Sequence, residues 1–272
     1  MVGEINVSKN SDFIGILDDM LNLDNITSQE KFALAGKFYS KYNSGGLKYD
    51  FFNEQVELLE KEIGDLPTIS IIENLSDKMK EKYYEYLLGE FLHMNVKSLT
   101  QIFGAIVGDL FNVDVKTKDT SIFEDIFSIL NYEELVSVYI KEWEINYNIL
   151  VKPIFERLDE LGHIPKKKKK YRHWEIEQVC KFLKSKQDLK SFTFIFEPMD
   201  TKVRNAFVHL DYFFDHERQM IVTINRKKKC NNCTEIPISE IVMKSMRFKV
   251  NRLFLFVFIA KRLCDKLGIE WN

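Results

Sequence analysis

Residues 239–267 contain neither glycine nor proline, and eight apolar residues follow one another at their centre, Leu253 to Ala260 (LFLFVFIA). A stretch this long without a breaker predicts one long helix. Phe254, Phe256 and Phe258 fall on different sides of it, which implies burial on several sides. Arg252 and Lys261 close the apolar run far short of the ~20 residues needed to span a membrane. The run therefore reads as the centre of a buried helix. Five Pro and eleven Gly among 272 residues leave few breaks elsewhere, which favours long helices over many short strands. A chain of this size can bury a large core, as one big domain or two small ones.

The same reading places helices at 10–22, from Ser28 with Phe32, Ala35, Phe38 and Tyr39 on its apolar face, and at 51–63, ended by Gly64-Asp-Leu-Pro. Residues 76–111 form the longest helical region. Helices at 121–130 and 132–161 follow, the latter with Pro153 as a candidate kink. A helix at 174–184 precedes 187–196, whose alternation suits a strand or a helix start. Residues 219–226 (QMIVTINR) are the best strand, with 235–238 able to pair back on it as a hairpin. The expected organisation is an N-terminal helical region, 1–75, and a mainly α domain, 76–272, with a small β-hairpin near 219–238.

The formal charge of −2 gives no global attraction to nucleic acid, so a nucleic-acid partner has to be held by local patches. Two exist. Lys166, Lys167, Lys168, Lys169 and Lys170 run into Tyr171-Arg172-His173-Trp174, a mix suited to phosphate contact and base stacking. Lys227, Lys228 and Lys229 form the second, at the hairpin tip. Either can equally be a solvated loop. Cys230 and Cys233 have zinc-knuckle spacing, but a structural zinc site needs four ligands and no second pair is present, so two thiols at a solvated tip are the better reading and no metal or cofactor is expected. The opening residues lack the apolar core of a signal peptide, which leads to the expectation of a cytoplasmic protein with reduced cysteines and no membrane partner.

Residues 201–216 (TKVRNAFVHLDYFFDH) read as a single helix with two faces. Val203, Phe207, Leu210 and Phe214 make an apolar stripe; Asn205, His209, Tyr212 and His216 make a polar row beside it. Within it, Arg204-Asn205-Ala206-Phe207-Val208-His209 reads R-N-x-x-x-H. This resembles the Arg-x4-6-His motif of HEPN domains, a family of helical ribonucleases and nucleic-acid-handling modules. In that family the residue after the Arg is typically Asn, Asp or His, which Asn205 fits, and the motif stands near the start of a late helix of a bundle. Arg157 to His163 also has a permitted spacing, but Leu158 follows its Arg and its His lies between Gly162 and a Pro loop.

The resemblance covers at best residues 76–272. It implies a helical bundle of HEPN type and a metal-independent endoribonuclease, of the toxin–antitoxin or antiviral-defence kind, with RNA as substrate. It also implies a homodimer with a composite active site and the possibility of an antitoxin or regulatory protein as partner. The chemistry suits the residues. Histidine titrates in the range needed to move the 2′-OH and 5′-oxygen protons, and Arg is the best bidentate holder of phosphate charge. Arg204 and His209 are five residues apart, about 140° round an ideal helix, which favours a site assembled from two symmetry-related helices. Arg204 would stabilise the phosphate, His209 would be the acid/base, Asn205 would position them, and Tyr212 and His216 would contact RNA. The alternative is a non-catalytic RNA-binding or signalling module using the two lysine patches.

Overall fold

The structure, a computed structural model, describes residues 26–42, 46–66, 72–93, 132–166, 171–224 and 233–271. The chain is mainly α with one small three-stranded sheet. The helices expected at 10–22 and 121–130, and the second half of 76–111, lie outside the described residues.

In chain order the elements are α1 (Ser28–Tyr42), α2 (Gly46–Ile63), α3 (Asp77–His93), α4 (Tyr132–Asn146), a π turn (Tyr147–Val151) and α5 (Lys152–Glu160). There follow α6 (Arg172–Ser185), a 3-10 helix (Gln187–Phe196), α7 (Thr201–Val208), β1 (Tyr212–Asp215), β2 (Met220–Thr223), β3 (Thr234–Pro237) and α8 (Ile238–Leu267). They form two compact units. Each draws on segments from both sides of residue 75.

The first unit holds α1, α2 up to Asn53, α3, and α8 from Phe254 onward. A capping box starts α1: Thr27 Oγ1 accepts from Glu30 N at 3.2 Å, and Glu30 Oε2 accepts from Thr27 N at 2.8 Å. Phe32, Ala35 and Tyr39 bury its apolar face. The Phe32 ring meets Phe91 and Phe256 edge-on, each at 6.3 Å, an arrangement aromatic quadrupoles favour. Gly36 lets α1 approach α8 closely, because a Cβ there would lie 2.2 Å from that of Ala260.

The second unit holds the rest of α2, α4 to α7, the sheet, and α8 up to Leu253. Tyr139, Trp143, Val179, Leu183, Phe192, Phe207 and Phe248 are its fully buried centre. The turn between α4 and α5 sits where the sequence places a kink. Pro153 has no N–H to give to residue 149, and the helix absorbs this by widening to a π turn just before it. Leu189, Phe192 and Ile195 recur every third residue and are buried, which is the period of the 3-10 helix that 187–196 adopts.

The hairpin expected near 219–238 is present: β2 pairs β3 antiparallel, from Met220 opposite Pro237 to Thr223 opposite Thr234. A third strand, β1, pairs the other edge of β2, Tyr212 opposite Thr223 and Asp215 opposite Met220. Residues 212–215 were expected to continue the helix from 201, and this is the main correction to the fold. α8 starts and ends within a residue of its expected limits, and every residue of Leu253 to Ala260 is buried. Among the described residues no helix is long and apolar enough to cross a membrane.

Candidate functional site

The motif helix is short and tightly bounded. Asp200 caps its start, its Oδ1 accepting from the backbone N–H of Lys202 at 2.9 Å and of Val203 at 3.1 Å. It stops at Val208. Leu210 takes a left-handed conformation, φ +56°. Its N–H then donates to Phe207 O at 3.2 Å and that of Asp211 to Ala206 O at 2.8 Å. These two bonds are a Schellman stop, usually made with glycine at the left-handed position. From there the chain turns into β1, and Ile224 N donates to Asp211 O at 2.7 Å.

This end changes the geometry of the polar row. His209 is the C-cap residue and is exposed. Asn205 is exposed one turn before it. Tyr212 lies in β1, half-buried, its ring edge-on to Phe207 at 5.1 Å. His216 is exposed in the turn after β1, its ring 5.0 Å from that of Tyr132 and 6.1 Å from that of Phe214. The sequence reading had put all four on one helical face. The left-handed residue at 210 removes Tyr212 and His216 from that face, leaving Asn205 and His209 on it.

Arg204 turns toward α4. Its Nε donates to Glu144 Oε1 at 3.0 Å, and Nη2 donates to the same oxygen. Nη1 donates to Asn205 Oδ1 at 3.1 Å, so the first two motif residues are joined directly. The guanidinium also lies over Trp143, 5.4 Å from the ring centroid. Arg172, the first residue of α6, reaches the same Glu144 oxygen through Nη1 and stacks over Trp143 and Tyr147, at 5.5 and 4.9 Å. The two rings are themselves parallel, 5.4 Å apart. His173 ties the start of α6 to the motif helix: Nδ1 lies 3.1 Å from Thr201 Oγ1, and Nε2 lies 3.0 Å from Glu177 Oε1.

Burial works against ionising Glu144, but the hydrogen bonds and charges of Arg204 and Arg172 outweigh it and hold the carboxyl below its ordinary value. Tyr147 is pushed upward, first by burial and then by its hydrogen bond to the Glu175 carboxylate. The result is an anchored pair of guanidiniums beside an exposed Asn and His. Sequence reasoning missed Glu144, because nothing in a helical period tells which of Glu142 and Glu144 meets an Arg 60 residues away. Arg172 was visible only as part of the basic stretch that follows the lysine run.

Lys166 is exposed in the loop before α6. Lys167, Lys168, Lys169, Lys170, Lys227, Lys228, Lys229 and Cys230 lie outside the described residues, and Cys233 is exposed. Comparison of the chain with protein-family models, with curated proteins and with solved structures finds no match in any of the three.

Proposed function

We propose that this chain is a metal-independent endoribonuclease of HEPN type, cytoplasmic, acting in toxin–antitoxin or antiviral defence as a homodimer with a composite site. The observation that carries the reading is the R-N-x-x-x-H segment on its own capped helix, with Arg204 bonded to Asn205 and His209 exposed at the helix end. The 2′-oxygen of RNA attacks phosphorus and the bond to the 5′-oxygen breaks. Histidine takes the 2′-OH proton and protonates the departing 5′-oxygen. Arg204 offsets the charge that builds on the phosphate oxygens. The products are a 2′,3′-cyclic phosphate and a 5′-hydroxyl.

Labelled single-stranded RNA incubated with the protein in EDTA tests this. Wild type cleaves, and His209→Ala loses on the order of 10²–10⁴-fold in rate. Equal cleavage by both proteins, or cleavage abolished by EDTA, sinks the mechanism. One observation favours a second reading, a non-catalytic RNA-binding module: Glu144 occupies the Arg204 guanidinium. RNA binding without cleavage decides for it.

A further inference from the structure

Glu144 Oε1 receives N–H groups from two different helices, Arg204 of α7 and Arg172 of α6. Two positive charges converge on one carboxylate, and a second carboxylate, Glu175, accepts from the Tyr147 hydroxyl. Neither guanidinium is free to swing: Arg204 is braced by Trp143, and Arg172 by Trp143 and Tyr147. The His173–Thr201 contact fixes the start of α6 against the motif helix. Arg172 is the more open of the pair, its side chain 39% exposed against 18% for Arg204. A planar carboxylate and a phosphate present similar acceptor oxygens to a guanidinium fork.

From this geometry we propose that Arg172 is a second phosphate-holding residue of the site. Arg172 and Arg204 together clamp one RNA phosphate, and the Glu144 carboxylate holds the two forks in place when no RNA is bound. The inference rests on the ribonuclease reading above and adds a substrate-binding residue outside the R-N-x-x-x-H segment.

The test uses the full chain and a single-stranded RNA oligonucleotide with 2′-O-methyl groups, which binds but cannot be cleaved. Affinity is measured by fluorescence anisotropy over a salt series. Arg172→Gln weakens binding about tenfold, and the slope of log affinity on log salt becomes shallower by about 0.7. Lys181→Gln, an equal charge loss at an exposed position of the same helix, leaves affinity within about twofold. Should Arg172→Gln fail to fold, Arg172→Lys decides: it keeps the charge but not the fork, and binding falls several-fold.

Equal shifts from Arg172→Gln and Lys181→Gln, or unchanged binding in Arg172→Lys when only that variant folds, overturn the proposal. Cleavage of unmodified RNA by wild type and His209→Ala is scored separately. Loss of cleavage in His209→Ala with unchanged binding in Arg172→Gln overturns this inference alone. Equal cleavage in both proteins overturns the ribonuclease reading, and weakened binding in Arg172→Gln then still supports the phosphate seat. A wild-type protein that binds no RNA overturns both.

Discussion

Two carboxylates on α4, two residues apart and so about 200° apart round the helix, lead opposite lives. Glu142 faces inward and pairs with Arg252 at 3.3 Å, the side chains only 5% and 8% exposed. Beside it, Asn146 Nδ2 donates to Glu142 O and Phe248 O, at 2.9 and 3.1 Å. Glu144 faces the motif and shares one oxygen between two Arg side chains, with 27% of its own side chain exposed. Both are Glu–Arg contacts. The first is sealed, so each charge is held by partners inside the protein and not by water. The second is open to water on one side, so an incoming anion can replace the carboxylate at modest cost. Burial, more than charge, separates a structural clamp from an exchangeable seat.

The largest expected effect breaks the sealed pair. Arg252→Met takes a buried ion-pair partner from Glu142 and lowers stability by about 3–5 kcal/mol, read from the urea midpoint. A loss below ~1 kcal/mol removes the contrast. Arg204→Ala is milder for the fold, about 1–2 kcal/mol from a part-exposed ion pair and a cation–π contact, yet it lowers RNA cleavage by ~10²-fold or more. A loss of stability as large as that of Arg252→Met would make Arg204 a structural residue instead. Salt sharpens the distinction: double-mutant cycles in low and high NaCl should weaken the Glu144–Arg172 coupling and leave the Glu142–Arg252 coupling nearly unchanged.

The smallest effect is the pH dependence of Glu144. Its folded value lies below the ordinary one. Its contribution is therefore complete above the ordinary carboxylate range and is lost as pH falls through the depressed value. Glu144→Gln should flatten that acid limb of the stability curve while changing stability at neutral pH by under ~1 kcal/mol. An unchanged acid limb contradicts the assignment.

Which parts of this were legible in the sequence follows from where the information sits. The limits of α8 come from a run without breakers. The β2–β3 hairpin comes from β-branched residues around a polar turn, and the α4–α5 irregularity from Pro153. Local signals of this kind need no knowledge of the partner. The early end of α7 was not legible, because its Schellman stop uses Leu210 where the usual signal is glycine. Residues 212–215 keep a helical spacing of apolar side chains but become strand, since β2 offers them a pairing edge. In the candidate site, Arg204, Asn205 and His209 announce themselves by spacing. Glu144 and Arg172 do not, because their link to the motif exists only after α4, α6 and α7 pack.

The π turn at Tyr147–Val151 has a consequence for chain length. It holds one residue more than a regular helical turn would, and the wider turn absorbs that residue, so α5 keeps its face toward the core. Ile154, Phe155 and Leu158 are buried with the extra residue in place. Deleting Ile149 would leave a regular turn, yet Pro153 would still withhold an N–H from the turn before it. The extra residue is slack in the chain: the wide turn takes up what the proline leaves unbonded.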